Sequence, residues 1–256
     1  MLSKRGQVTL FIIIAIALIL SLSLFWFFQR RSVQQERVEV AKTVKGYVES
    51  CGKDRLEKII EIIALQGGNF EKPKRFIEHS FLDSYNISVP LYIENSSLNV
   101  PSKEEIENQI SIGLKKEMER CLNFSILPYD IWFDKENAFI NSKIKKDLIS
   151  STIIIPTLIR LEKDTIVLNE FKIEVPSRLL DLYSASIEIT KDQINHPSSL
   201  CLECSLEISE KYNLQIYNIE ISEFPHILFL YYLIPKDHNK DPAKIYLFAH
   251  KFSELS

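Results

Sequence analysis

Lys4-Arg5-Gly6-Gln7-Val8-Thr9-Leu10-Phe11 opens the stretch on which the reading of the whole chain turns. No charge occurs from Val8 to Phe28, where the polar side chains are Thr9, Ser21 and Ser23, and the run closes on Gln29-Arg30-Arg31. As a helix, residues 10–28 would measure about 28 Å, close to the ~30 Å hydrocarbon core of a bilayer. The aromatic group Phe25-Trp26-Phe27-Phe28 stands at one end, as an interfacial belt does. A buried core helix is the bland alternative, and basic residues flanking a wholly uncharged span argue against it. A secretory signal normally has a shorter apolar region followed by a small-residue cleavage site, and Phe27-Phe28-Gln29-Arg30-Arg31 offers none. The pattern therefore predicts a retained transmembrane helix over residues 10–28.

Orientation is contested within the sequence. Lys4 and Arg5 favour a cytoplasmic start, whereas Arg30, Arg31, Arg37, Lys42 and Lys45 favour a cytoplasmic body by the positive-inside rule. Two features pull the body outward: an even count of four cysteines, and Asn-x-Ser sequons at Asn86, Asn95 and Asn123. The expectation is a single-pass protein with an extracytoplasmic globular part.

The opening octapeptide resembles the amino terminus of archaeal type IV pilin-like precursors. In that family a basic residue and a Gly precede the cleavage point, and an apolar helix follows it. The resemblance implies peptidase cleavage between Gly6 and Gln7, with a prepilin-type peptidase, the lipid bilayer and other pilin-like or membrane-complex subunits as partners. Phe11 stands where that family often carries the Glu that helps assembly, a departure from its pattern. More faintly, the remainder resembles uncharacterised membrane-anchored proteins of small-genome archaea through Tyr47-Val48-Glu49-Ser50-Cys51, Gln66-Gly67-Gly68 and Pro101-Ser102-Lys103-Glu104-Glu105. That likeness implies no activity.

The organisation expected is a leader region over 1–9, the transmembrane helix over 10–28, a juxtamembrane helical stalk over 29–68, a helical subregion over 69–128 and an antiparallel-sheet region over 129–256. The fold class is α+β. Residues 33–66 read as one helix, with Val33, Val40, Val44, Val48, Cys51, Ile59 and Ile62 or Ile63 on the apolar side and Gly67-Gly68 as a stop. Residues 76–85 read as a short helix. Ser102 as N-cap with Glu105 at N3 makes a capping box. Strands are expected over 130–133, 137–143, 151–161, 165–175, 214–221, 226–234 and 244–250, with Pro156 marking an edge strand or a bulge. Helices are expected over 178–194 and 198–205.

The chain carries a formal charge of −3. Lys4, Arg5, Arg30 and Arg31 are the only charges in the first 31 residues, so the rest holds about −7. That balance is poor for gripping phosphate backbones, and no nucleic-acid partner is expected.

Candidate chemistry is sparse. Cys201-Leu202-Glu203-Cys204 is open to a local disulfide, free thiols, half a metal site with His196 or His226, or a redox pair. Cys51 and Cys121 fall on apolar helix faces and could join as a disulfide or stay as buried thiols. No Gly-rich phosphate loop, His-Glu-x-x-His element or nucleophile elbow occurs around Ser177, Ser205 or Ser209. No catalytic residue, metal or cofactor is nominated. The function expected is a structural, adhesive or binding protein, a minor pilin-like surface component included. The alternatives are a membrane-tethered enzyme and a cytoplasmic-facing accessory factor.

Overall fold

One helix carries the chain from its first turns into the body. In the computed structural model, which describes residues 4–81, 85–95, 97–162, 164–196, 200–223, 226–237 and 241–253, α1 is Lys4–Leu65. Its second half is built for packing: Val40, Val44, Val48, Leu56, Ile59, Ile60 and Ile63 are all buried. These positions follow the i, i+3, i+4 spacing that puts side chains on one side of a helix. They face α2 (Lys103–Cys121) and strand β7 (Thr165–Pro176).

The body has two sheets. The larger holds six strands in the order β1-β2-β10-β9-β8, with β3 (Ser97–Leu98) added to β2. Here β1 is Phe76–Phe81, β2 Tyr85–Glu94, β8 Leu214–Glu223, β9 His226–Pro235 and β10 Tyr246–Ser253. All pairs are antiparallel except β2 with β10, which run parallel. The smaller sheet has four strands, with β6 (Leu148–Arg160) central. Strand β7 pairs along one side of β6, while β4 (Asp130–Phe133) and β5 (Phe139–Ile144) share the other. Alternate residues of β6 from Ile149 to Ile159 are buried, the period-two signature of a half-buried strand.

Helix α3 (Leu179–Asn195) covers one face of the larger sheet, resting on β2, β9 and β10, and α4 (Leu202–Tyr212) packs on α3 and β8. A single core joins α1, α2, α3 and both sheets. A smaller apolar cluster, with Val89, Leu91, Leu230, Leu247 and Ala249 at its centre, fills the opposite face of the larger sheet.

Several expectations need correction. Among the described residues no helix is long and apolar enough to cross a membrane. With that finding the transmembrane helix over 10–28 falls, and so do the single-pass placement, the extracytoplasmic body and the bilayer as partner. The stalk over 29–68 falls for a different reason: from Val40 onward α1 is a core element of the body. Of the helix expected over 76–85, residues 76–81 are instead a strand, β1, paired with β2 from Phe76↔Pro90 to Phe81↔Tyr85, and residues 82–84 lie outside the described residues. Of the two readings of Pro156, an edge or a bulge, the second holds. The proline lies in a register shift of the central strand between Ile154 and Thr157, where a missing N–H costs no ladder bond.

Candidate functional site

The amino-terminal part of α1 is the least expected surface of the molecule. Ile14, Ile16, Leu18, Ile19, Leu20, Leu22, Leu24 and Phe25 are each between 47% and 65% exposed. They occupy every side of the helix, since Leu18, Ile19 and Leu20 stand 100° apart in turn and Leu24 falls in the gap that they leave. Ser21 and Ser23 turn inward on the helix itself, donating to the carbonyls of Leu18 (2.9 Å) and Ile19. The segment projects past the point where Arg37 of α1 pairs with Asp164, at the tip of the β6–β7 hairpin, at 2.8 Å. On the same sheet Trp132, Leu158 and Val167 form one cross-strand row, and Trp132 and Val167 are half exposed.

The four cysteines form two bonded pairs. Cys51 of α1 joins Cys121, the last residue of α2, with Cα atoms 6.0 Å apart. Tyr47, one turn earlier, donates its hydroxyl to the Cys121 and Asn123 carbonyls at 3.0 Å, so the same helix crossing is fixed twice. Cys201 joins Cys204 across the first turn of α4, with Cα atoms 5.3 Å apart. Cys201 is the N-cap, and its sulfur accepts the backbone N–H of Cys204 at 3.1 Å. The carboxylate of Asp192, in the last turn of α3, lies with these sulfurs inside a span of 4.8 Å. All three residues are half-buried. Neither His196 nor His226, the partners considered from sequence, belongs to that group. His196 instead turns its Nδ1 back to the Asp192 carbonyl (3.3 Å) and carboxylate (3.7 Å).

Elsewhere the polar groups are committed to structure. Asp241 is buried and accepts from the Ser177 hydroxyl (3.1 Å) and from the backbone N–H groups of Arg178 (2.7 Å) and Ala243 (2.9 Å). Ser177 also accepts from Leu179 N–H at 3.2 Å, so it starts α3, and the carboxylate it donates to already holds two backbone N–H groups. Arg178 closes the other end of the pair, donating its guanidinium to the carbonyls of Tyr212 and Asn213 where α4 ends. Ser209 donates to the Leu214 carbonyl at 2.6 Å. Glu107 is buried and joins α2 to β5, accepting from Ile144 N–H (3.0 Å) and Lys143 Nζ (2.7 Å); this pair holds the Lys143 ammonium above its usual pKa.

Beneath α3 runs a buried polar seam. Tyr92 and Tyr246 share a hydrogen bond of 2.7 Å, and Tyr231 donates to Gln193 Oε1 at 2.8 Å. Burial raises the pKa of all three phenols, and for Tyr246 the effect is large. Burial pushes the His250 imidazole the other way, down to about 3. An open groove of about 460 Å³ lies between Asp54, Glu57, Lys58 and Glu61 of α1 and Asp241, Pro242 and Lys244. Its carboxylates and amines are mixed, and its one buried acid, Asp241, has both oxygens occupied. Ser177 and the Asp241 carboxylate beside it are both buried and tied to the start of α3, so that pair serves as a helix cap and carries no catalytic nomination.

The remaining sequence candidates are scattered. Gly6 and Gln7 lie in the backbone of α1, with their side chains outside the described residues. Asn86, Asn95 and Asn123 are all exposed, at the start of β2, in a turn and before a 3₁₀ turn respectively. Asn123 accepts from Ser125, the serine of its own sequon, at 2.7 Å.

No family model, no curated protein and no solved structure matches the chain. The pilin-like resemblance of the first residues and the fainter resemblance of the remainder to archaeal membrane-anchored proteins are withdrawn with that result, as are the peptidase and pilin-like partners that the first implied. What the sequence reasoning missed is Asp192. An acid in the last turn of a helix, with no base in that turn, opposes the macrodipole and was the available signal.

Proposed function

We propose that this protein is a non-catalytic assembly subunit, and that the amino-terminal segment of α1 packs against the same segment of further copies. The observation that carries the reading is the exposed, all-round apolar character of residues 14–25, continuous with a helix rooted in the core. A helix that is apolar on every side is stable in water only when other apolar surface covers it.

Coverage favours several copies over two. A two-helix contact would cover four or five of the large side chains on each copy, about 12–30 kcal/mol in all at about 1.5–3 kcal/mol each. Association costs about 4–15 kcal/mol, which two helices can meet, but a pair leaves the outer apolar side of each helix in water. A bundle of more than two helices covers most of the circumference of each and exceeds that cost. The rigid root supplied by Val40, Val44 and Val48 lets one copy present the segment without ordering it first.

Sedimentation velocity of the full chain in detergent-free buffer, over a range of concentrations, tests this. A discrete species larger than a dimer is expected, dispersed to monomer by Leu18→Lys with Leu22→Lys while circular dichroism of the body is unchanged. A chain that stays monomeric at every concentration would overturn the reading. So would a chain that floats as a monomer with phosphatidylcholine vesicles.

A further inference from the structure

We infer that Asp192, Cys201 and Cys204 form a redox-gated site for a thiophilic divalent metal such as zinc. The three side chains come from two elements, the last turn of α3 and the first turn of α4, and converge on one half-buried point. Their ligand atoms lie within 4.8 Å of one another. A tetrahedral zinc with bonds of about 2.0–2.3 Å keeps its ligands roughly 3.3–3.8 Å apart, so the two sulfurs, bonded to each other here, must separate on reduction, while the carboxylate already lies within reach.

The charge pattern decides between a metal site and a thiol–disulfide exchange catalyst. The start of α4 favours thiolates through the helix dipole and through the Cys204 N–H that already reaches the Cys201 sulfur. An exchange catalyst works through one such thiolate, stabilised by a helix N-terminus or a nearby cation. Here a carboxylate stands beside both sulfurs, so full reduction and ionisation would gather three negative groups. A divalent cation neutralises most of that charge. His196 lies behind the carboxylate, with Nδ1 3.7 Å from Asp192 Oδ1, and serves to orient it. Three protein ligands leave the fourth position to water, which the half-exposed setting admits.

Two states follow. With Cys201 and Cys204 bonded, neither sulfur is a thiolate and the site is closed to metal. A small dithiol reductant opens it: two electrons and two protons convert the disulfide to two thiols, and the reductant leaves as its own cyclic disulfide. Metal entry then displaces the two thiol protons to solvent, with two sulfur–metal bonds and one carboxylate–metal bond formed.

The test uses the full chain, reduced by a phosphine under argon and titrated first with Co(II), then with Zn(II). Sulfur-to-cobalt charge-transfer absorption saturating at one ion per chain is expected, with Zn(II) displacing the cobalt. Cys201→Ser with Cys204→Ser should abolish the band, which keeps the Cys51 and Cys121 thiols from being mistaken for the site. Asp192→Asn, which leaves both thiols in place, should weaken Co(II) binding at least about ten-fold. The unreduced chain should bind none. A reduced chain that shows no charge-transfer band would overturn the proposal, as would a band that persists in the double cysteine variant or is unchanged by Asp192→Asn.

Discussion

Nε2 of His250 lies 3.1 Å from the hydroxyl oxygen of Thr190, and both residues are fully enclosed between α3 and the larger sheet. The Thr190 hydroxyl has one proton, and it is given to the Ser186 carbonyl at 2.7 Å. Thr190 must therefore accept from His250, which fixes the Nε2–H tautomer and leaves Nδ1 buried without a partner. A second proton on the ring would go to Nδ1, where no acceptor waits. Burial accordingly holds the pKa down at about 3, against about 6.5 in the unfolded chain. A depressed folded pKa means that the contribution is complete above pH 6.5 and is lost as pH falls towards 3. Stability should fall by about 1.4 kcal/mol per pH unit below 6.5 from this group alone. Urea unfolding of the native chain and His250→Gln at pH 7, 6 and 5 should show that slope reduced in the variant. Equal slopes would mean the ring titrates without unfolding.

Asp241 holds three donors, the Ser177 hydroxyl and two backbone N–H groups, at the point where α3 begins. Asp241→Ala leaves these donors buried and unsatisfied, each loss worth about 1–3 kcal/mol. A destabilisation of about 3 kcal/mol or more is expected in urea unfolding. Asp241→Asn keeps one acceptor oxygen and should lose less.

The Cys51–Cys121 bond closes a loop with a sequence separation of 70. Its removal by Cys51→Ser with Cys121→Ser should cost about 2–4 kcal/mol. Because Tyr47 ties the same crossing by hydrogen bonds, the variant should still fold at room temperature, with a lower Tm. Thiol labelling of the native chain in denaturant should find no free cysteine before reduction.

Gly67 and Gly46 should respond in opposite directions to alanine. Gly67 has φ +47°, and an added Cβ would meet the Leu247 carbonyl and the Pro90 ring, each at 2.6 Å. Left-handed backbone costs an alanine about 1–2 kcal/mol before any clash, so Gly67→Ala should destabilise by more than that. At Gly46, mid-helix in α1, an added Cβ meets nothing within 4 Å, and Gly46→Ala should stabilise by about 0.5–1 kcal/mol. Paired thermal melts separate the two.

Local chemistry was the legible part of this fold. The capping box is present in both directions, Glu105 N–H to Ser102 and Ser102 N–H to the Glu105 carboxylate, because its four residues need nothing from elsewhere. The β6–β7 hairpin was legible for the same reason: two β-branched runs flank a short turn. Residues 76–81 were misread because Phe-Ile-Glu-His-Ser-Phe has neither clean period, and its state is set by pairing Ile77 with Val89 and by His79 meeting the Tyr232 hydroxyl at 2.7 Å. The parallel contact of β2 with β10 left no trace in either strand. The metal-type cluster was half visible: Cys-x-x-Cys is a local motif, while Asp192 reaches it only because α4 folds back against α3. The apolar amino terminus shows the reverse error, since composition reports what a segment avoids and not what covers it.

The placement of β10 has a consequence for biogenesis. This final described strand lies between β2 and β9, so the larger sheet stays divided until residues 246–253 have left the ribosome. Until then β2 and β9 each offer an open edge, and the apolar residues beside that gap, Phe229 and Tyr231 on one face and Val89 and Leu230 on the other, lack the neighbours that β10 supplies. The body cannot mature element by element as it is synthesised. It must wait for its last strand, and a nascent chain in that state is a natural client for chaperones.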